Sequence, residues 1–268
     1  MKPGERIEPF FFGPDAQLFG CLHTPANPRC RDFGWLICQP IGHEYVNSHR
    51  ALRQLAARLC EAGFPVLRFD YFGCGDSAGE TCEGSIAQWL NDVATATAEL
   101  NQRIGASRVG LAGLRLGATL ALLAAAVRDD VASVIVWDPV LKGSAYLREL
   151  NSLESEMLRL RPRPKRVERN SSDAQLLGFS FTAALCAEIA QLDLTASVLE
   201  SLPNLLMIES GPAPELEPFA EHASRMARSF QRKQFNAVQP WLPTQDGSLP
   251  VPHQILQSVV AWARTSQS

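Results

Sequence analysis

Short hydrophobic runs alternate with amphipathic segments along most of the chain. The runs are nearly continuous in apolar residues, which is typical of parallel strands buried on both faces of a sheet. The predicted strands of this part are 35–38, 66–69, 109–112 and 134–137. The segments between them carry apolar residues at helical spacing. The predicted helices are 49–62, 86–100 and 118–127. This alternation predicts an α/β fold with a mostly parallel central sheet.

The two ends of the chain extend this pattern, and the middle interrupts it. Two opening strands are predicted at 10–12 and 17–23, joined by a Gly-Pro-Asp turn. Towards the C-terminus the predicted elements are a strand at 204–208, a helix at 217–230, a strand at 234–238 and a helix at 254–264. Residues 139–200 break the rhythm, and we expect them to form a cap inserted in one domain that spans 1–268.

The cap region contains a basic run with prolines at 159–166. Proline opposes regular structure, so the run is consistent with a solvated linker. Contact with an acidic ligand is the alternative interpretation.

Composition restricts the class of protein. Apolar residues make up 46% and charged residues 20% of 268 residues, a globular balance. The net charge of -3 argues against a nucleic-acid partner. No apolar run approaches the ~20 residues of a membrane span, and no signal peptide is evident, so a cytoplasmic location is expected. The seven cysteines are scattered without zinc spacing, so we expect reduced thiols and no metal or cofactor. Oligomeric state stays open.

The most informative motif is a strand–turn–helix with two glycines four residues apart. It reads Gly113-Leu114-Arg115-Leu116-Gly117, between an apolar strand and an alanine-rich helix. A nucleophile elbow has the pattern G-x-S-x-G in this context, with the serine at the centre. Arg115 occupies the position of that serine. The alternative is an ordinary tight turn in another doubly wound fold.

A second segment fits the loop that supplies oxyanion-binding N–H groups. Residues 40–44 follow the strand at 35–38, which is where such a loop belongs. We expect Ile41, Gly42 and Leu116 to offer backbone N–H groups. His43 and Glu44 are expected to line the same site.

The remaining parts of a triad have candidates in the expected chain order. His253 precedes the last predicted helix and is the candidate general base. Glu215 is the first candidate for the acid that orients it. The alternatives are Glu217, Glu209 and Asp138, all near the ends of predicted strands.

Together these motifs resemble the α/β-hydrolase superfamily, which includes serine aminopeptidases and esterases. The loop at 70–77 adds a D-x-x-G-x-G-x-S pattern, and the resemblance covers the chain apart from the cap. It implies the α/β-hydrolase fold: a mostly parallel sheet with helices on both faces. More narrowly, the sequences at 113–118, 72–77 and 143–147 resemble hydrolase-like proteins found with exosortase A systems.

Arginine in place of serine closes the usual covalent route, because a guanidinium stays protonated and has no usable lone pair. Cys74 is a weak candidate for a replacement nucleophile. A cation at a helix N-terminus opposes the macrodipole, so Arg115 requires an anionic partner. That partner is Glu44, Glu215, or a ligand carboxylate or phosphate.

Three functions follow. The first is a hydrolase or acyl transferase that acts on an ester, thioester or amide with histidine-activated water. The second is a non-catalytic protein that binds an acidic or acylated small molecule. The third is a scaffold whose pocket is filled.

Overall fold

The computed structural model describes residues 5–28, 32–160, 174–195, 201–244 and 247–266. Its strands are β1 (Glu5–Phe12), β2 (Leu18–Pro25), β3 (Phe33–Cys38), β4 (Val66–Phe69), β5 (Arg108–Leu114), β6 (Val131–Trp137), β7 (Ala174–Leu176), β8 (Phe179–Phe181), β9 (Leu202–Glu209) and β10 (Ala227–Gln234). Its helices are α1 (Gly42–Glu61), α2 (Ile86–Ile104), α3 (Leu116–Ala125), α4 (Gly143–Leu160), α5 (Ala183–Gln191), α6 (Glu217–Met226) and α7 (His253–Thr265).

Eight strands form one sheet in the order β1-β2-β4-β3-β5-β6-β9-β10. β2 runs antiparallel to both β1 and β4, and the strands from β4 to β10 pair in parallel. Apolar clusters cover both faces: α1 and α7 pack on one face, and α2, α3 and α6 on the other. This arrangement confirms the mostly parallel sheet with helices on both faces.

The central strands are the best predicted. Every residue of β3 and β4 is buried, as a nearly continuous hydrophobic run requires. The carboxyl ends of β3, β5 and β6 lie side by side in the register Cys38↔Gly113 and Leu114↔Trp137. The loops that follow these three strands therefore meet at one edge of the sheet.

The last strand was placed wrongly from the sequence. The predicted helix 217–230 ends at Met226, and the predicted strand 234–238 is instead β10, Ala227–Gln234. β10 is an edge strand without a fully buried residue, so its sequence, ARSFQRKQ, lacks the apolar run that marks a central strand. β10 begins seven residues and ends four residues before the predicted strand, because a strand at the sheet edge lacks the apolar pattern on which the prediction relied.

The segment between β6 and β9 carries α4, the β7–β8 hairpin and α5. Gly143 at the start of α4 packs so closely on α5 that a Cβ there would overlap the carbonyl group of Ile189. Glu188 of α5 accepts a hydrogen bond from the backbone N–H of Ile86 at the start of α2, at 2.8 Å. The first contact joins α4 to α5 within this segment, which we call the insertion, and the second joins the insertion to the rest of the fold. Most of the predicted basic run, 161–166, lies outside the described residues.

The D-x-x-G loop after β4 is held by the buried carboxylate of Asp70. It accepts hydrogen bonds from Gln39 Nε2 at 2.9 Å, Tyr45 Oη at 3.0 Å and the backbone N–H of Asp76 at 3.0 Å. Gly75 has φ 57°, and a Cβ at Gly75 would overlap the Asp70 carboxylate. The motif therefore shapes the loop.

Among the helices that the structure describes, none is both long enough and apolar enough to cross a bilayer.

Candidate active site at the elbow

Arg115 sits on a strained turn between β5 and α3. Its backbone has φ 54° and ψ −123°, a conformation that a residue with a side chain rarely adopts. A Cβ at Gly113 would overlap the backbone of Ala118, and one at Gly117 would overlap the carbonyl oxygen of Cys38. The two glycines are therefore required by close backbone approach, and the geometry is that of an elbow with its central side chain projected from the sheet.

The guanidinium of Arg115 lies between two carboxylates. Nε donates to Oε1 of Glu44 at 2.8 Å, and Nη2 donates to Oε2 of Glu149 at 2.6 Å. The side chain of Glu44 is 1% exposed, whereas that of Glu149 is 42% exposed. One partner is thus part of the protein interior and the other faces solvent.

Aromatic rings complete the surroundings of the guanidinium. Its central carbon lies 5.0 Å from the ring centroid of Trp241 and 5.5 Å from that of Tyr146, within cation–π distance. The Tyr146 hydroxyl donates to Oε2 of Glu44 at 2.9 Å. Asn47 holds the backbone of Trp241 through a hydrogen bond of 2.8 Å to its carbonyl oxygen. Arg115 is thus fixed on several sides.

Burial and charge act in opposite directions on the pair. Burial alone would lower the pKa of Arg115, but the negative charges of Glu44 and Glu149 outweigh it and raise the pKa above its ordinary value. Burial raises the pKa of Glu44, and the charge of Arg115 opposes this rise. Since the guanidinium does not lose its proton, the pair is ionic while Glu44 is ionised. Glu44 also lies in the first turn of α1, where the helix dipole favours a carboxylate.

The predicted oxyanion residues lie around this pair. Ile41 precedes α1 and Leu116 begins α3, so two helix N-termini converge near Arg115. Gly42 has φ 59°, and the ring of Phe181 from β8 packs against it. The insertion therefore lies over this loop.

His43 is a histidine whose pKa is affected by the positive charge of Arg115. Burial, followed by the positive charge of Arg115, lowers the pKa of His43 to about 4, so the ring is neutral near neutral pH. Its Nε2 is buried and has no hydrogen-bond partner among the described residues. A neutral imidazole at this place is able to accept a hydrogen bond, whereas burial and the charge of Arg115 oppose its protonation.

The structure does not bring His253 to this site. Its Nδ1 lies 2.7 Å from Nη2 of Arg58, and the side chain is exposed at the start of α7. Arg58 and Glu44 are 14 residues apart on α1, a rise of about 21 Å, which an arginine side chain is far too short to span. The segment 235–244, which precedes α7 in the chain, contributes Trp241 to the elbow instead.

The acid candidates are also dispersed. Glu209 is fully buried and pairs with Arg232 at 2.5 Å, and Glu217 pairs with the same arginine at 2.6 Å. Glu215 is exposed and lines the cavity that Arg115 faces. No ion pair joins Glu215 to Arg115 in the part of the chain that the structure covers. Glu44, the other predicted internal partner, pairs with Arg115.

Asp138 is the acid candidate most affected by Arg115. It directly follows β6 and has φ 44°, and its carboxylate accepts hydrogen bonds from Ser210 N at 3.2 Å and Ser210 Oγ at 2.6 Å. Burial raises the pKa of Asp138 to about 6, while the bonds from Ser210 and the charge of Arg115 oppose the rise. Asp138 and Ser210 thus form a buried polar pair at the same edge of the sheet.

A cavity of about 580 Å³ opens on one side of Arg115, a size typical of small-molecule sites. Its apolar lining comes from the loop after β6, α4 and the start of α6. The lining residues are Arg115, Pro139, Val140, Leu141, Lys142, Ala145, Tyr146, Glu149, Thr195, Glu215, Leu216 and Pro218. The cavity therefore combines an apolar body with charged groups at its walls.

Other chemistry has little support in the described residues. Burial raises the pKa of Cys74 to about 12, so it is a thiol rather than a thiolate nucleophile at neutral pH. Within the covered ranges, no group of three His, Cys, Asp or Glu side chains is placed to hold a metal ion.

Sequence reasoning missed Tyr146, Glu149 and Trp241. Tyr146 and Glu149 are three residues apart and so share one face of α4, a signal that marks a shared surface but not its partner. Trp241 lies in a Pro-Trp-Leu-Pro stretch of an irregular loop. Nothing in that stretch predicts that it reaches the elbow.

Comparison with known proteins agrees with this geometry. A family model described as serine aminopeptidase, S33, matches residues 41–178, about half of the chain. No curated protein sequence matches.

Many solved structures share the fold. Est1E from Butyrivibrio proteoclasticus is 15% identical, with a TM-score of 0.63 and 98% of each chain covered; it has also been solved with ferulic acid bound. A putative hydrolase from Agrobacterium vitis S4 is 16% identical, with a TM-score of 0.57 and 98% of each chain covered. Mouse alpha/beta hydrolase domain-containing protein 10 is 15% identical, with a TM-score of 0.59, and the match covers 96% of this chain and 99% of that one.

These similarities establish the α/β-hydrolase fold, and the loop, elbow and strand order described above fall within it. With half of its length matched by the family model, the chain belongs to the serine aminopeptidase S33 family of α/β hydrolases.

Proposed function

We propose that this protein is a non-catalytic member of its family that binds a small molecule bearing a carboxylate. One observation carries the proposal: the guanidinium of Arg115 occupies the elbow and is ion-paired with the buried Glu44 at 2.8 Å. A buried ion pair on a strained turn is costly to build unless further interactions compensate it. Recognition of an anion is a function that uses this arrangement directly.

The surroundings support binding rather than acyl transfer. Covalent catalysis needs a nucleophile with a base within hydrogen-bonding distance. The side chain at the elbow is a cation, and the loop that precedes α7 contributes the indole of Trp241 at 5.0 Å from it. His253 contacts Arg58 instead.

The lining of the cavity favours an acid with an apolar body. Its apolar residues come from three segments, and Arg115 supplies a planar guanidinium suited to a carboxylate. Ferulic acid, which is bound to Est1E in a structure of the same fold, combines a carboxylate with an aromatic body and is a suitable first probe.

The test is calorimetric titration of ferulic acid, and of its primary amide, into the wild-type chain. We expect the acid to bind and the amide to bind at least about tenfold more weakly, because a charge-assisted hydrogen bond is lost. Arg115→Gln combined with Glu44→Gln should weaken the acid to the level of the amide while leaving no buried charge unpaired. Arg103→Gln, at an arginine on α2 paired with Glu99, is the matched control. Equal binding of acid and amide would contradict the proposal, and absence of both would favour a scaffold.

A second candidate is hydrolysis of an ester, thioester or amide, or acyl transfer, with histidine-activated water. The unpartnered Nε2 of His43 favours it, since a neutral imidazole can accept a hydrogen bond from water. Burial and the charge of Arg115, which lower the pKa of His43 to about 4, oppose proton transfer to it. His43 then replaces His253 in the role first assigned to that residue. Turnover of small acyl esters that is lost in His43→Ala and kept in His253→Ala would support this candidate over binding.

The narrower resemblance to proteins found with exosortase A systems stays a prediction. It rests on the elbow and on residues 143–147; Tyr146, within the latter segment, contacts Glu44. A shared ion pair in such proteins would support the relationship.

A further inference from the structure

The two carboxylates that bind Arg115 differ in their exposure to solvent and in the other groups that hold them. Glu44 is 1% exposed, binds Nε, and is also held by the hydroxyl of Tyr146. Glu149 is 42% exposed and, among the described residues, bonds only to Arg115. Releasing Glu149 into water costs little, because a half-exposed ion pair is weak. Releasing Glu44 would leave a buried charge without its partner.

The guanidinium retains unused donor capacity. Nε donates to Glu44 and Nη2 donates to Glu149, whereas Nη1 donates to no protein atom within the described ranges. A carboxylate that approached Nη1 and Nη2 together would form two parallel hydrogen bonds, where Glu149 forms one. The rings of Trp241 and Tyr146 help to fix the orientation of the guanidinium, so this edge is presented in one orientation.

Resting on the proposed function, we infer that Glu149 is an exchangeable internal competitor: a ligand carboxylate replaces it at Nη2 of Arg115, takes Nη1 as well, and leaves Glu44 in place. Both Glu149 and the bound carboxylate then reach the same cavity, which Arg115 also lines. Glu149 lies on α4 of the insertion, so its release separates one contact between insertion and elbow. The affinity for the ligand then depends on how much more strongly its carboxylate binds Arg115 than Glu149 does.

The same geometry restricts the ligand to a single negative charge. Two positive groups, Arg115 and Lys142, line the cavity together with two carboxylates, Glu149 and Glu215. The positive charge of Arg115 is already opposed by Glu44 behind it. Lys142 already faces the carboxylate of Asp193 at 4.0 Å. A dianion such as a phosphate monoester would therefore add a second charge without a second unpaired cation, so a monocarboxylate is the class that fits.

The experiment is titration of ferulic acid, and of a phenyl phosphate of similar size, into wild type, Glu149→Gln and Glu156→Gln at one ionic strength near neutral pH. Glu156 is an exposed carboxylate further along α4 and serves as the matched control. We expect Glu149→Gln to bind the acid about three- to tenfold more tightly than wild type, because the competing charge is gone. Glu156→Gln should match wild type, and the phosphate should bind at least about tenfold more weakly than the acid.

The outcomes separate the two proposals. Binding by wild type that is unchanged or weakened in Glu149→Gln overturns the exchange and leaves the proposed function standing. If neither wild type nor Glu149→Gln binds the acid, and circular dichroism shows that both are folded, the proposed function and the exchange are overturned together. Equal tightening in Glu156→Gln would show a general charge effect and also overturns the exchange. Phosphate binding as tight as that of the acid overturns the monocarboxylate class.

Discussion

At the scale of single residues, the dominant feature is the coupling between Arg115 and Glu44. Among the described residues, Glu44 has no cationic partner other than Arg115: its side chain is 1% exposed, and besides Arg115 only Tyr146 donates to it. We expect Arg115→Gln to lower the free energy of unfolding by about 3 kcal/mol, because it leaves a carboxylate buried without a cation.

The double variant Arg115→Gln/Glu44→Gln should be more stable than the Arg115→Gln single variant. Two neutral amides remain, and no isolated charge is buried. Urea unfolding of the wild type, the two single variants and the double variant measures the coupling. Additive effects would show that the two side chains act independently.

Asp138 gives the fold a dependence on pH. Its pKa is about 6 in the folded protein, above the ordinary value of 3.8. Protonated Asp138 therefore stabilises the fold below about pH 4, and this contribution is lost as the pH rises through about 6. We expect the stability of Asp138→Asn relative to wild type to rise by about 3 kcal/mol across that window. Urea unfolding at several pH values tests it; a difference independent of pH would place Asp138 in a solvated environment.

The Arg115→Ser variant tests whether a base is still positioned to activate a serine at the elbow. We expect no labelling by a serine-directed phosphonate, since Trp241, rather than a histidine, is supplied by the last loop. Because this change leaves Glu44 unpaired, Arg115→Ser/Glu44→Gln is made in parallel, and thermal unfolding confirms the fold. Stoichiometric labelling of either variant would mean that a base lies within reach of the elbow.

At the scale of secondary-structure elements, the elbow depends on the contact between α3 and the end of β3. A Cβ at Gly117 would overlap the carbonyl oxygens of Cys38 and Gln39, and backbone cannot yield as a side chain does. We expect Gly117→Ala to lower the free energy of unfolding by about 3 kcal/mol or more.

Gly211→Ala is the control for this prediction, because the space around Gly211 is open and its φ is not positive. It should change stability by no more than about 0.5 kcal/mol. Similar losses in both variants would mean that any added methyl is harmful and that the elbow contact is not special. Thermal or urea unfolding of both proteins decides this.

The elements also show which parts of the sequence carry their own structural signal. β3 and β4 are buried at every position, so hydrophobic patterning alone located them. β10 has no buried residue, and its polar sequence continued the apparent helix at 217–230. Hydrophobic patterning reflects burial, so it does not identify an edge strand whose residues are not buried.

The same limit applies to the site. The elbow was recognisable because Gly113 and Gly117 satisfy a local backbone requirement, and Glu44 was one of two internal partners proposed for Arg115. The distant parts were not recoverable from the sequence: Trp241 in the segment 235–244 lies beside the elbow, whereas His253 at the start of α7 does not. Chain order could not reveal the path of an irregular loop.

At the scale of the whole molecule, the guanidinium of Arg115 is contacted both by the body of the fold and by the insertion. The body supplies Arg115, Glu44 and Trp241, and the insertion supplies Tyr146 and Glu149 through α4. The insertion is in turn joined to α2 through Glu188. A cation at the elbow therefore connects the two parts where a serine would only present a hydroxyl.

The most direct measurement of the central claim uses an acid and its own ester. Methyl ferulate and ferulic acid are each incubated with a stoichiometric amount of the wild-type protein, and chromatography with intact-protein mass spectrometry follows both over time. If the charged elbow recognises carboxylates without catalysis, the ester should hydrolyse no faster with the protein than in buffer alone, and no acyl adduct should form on the protein. The acid, but not the ester, should be retained by the protein. Repeated conversion of ester to acid, or an acyl adduct on the chain, would contradict it.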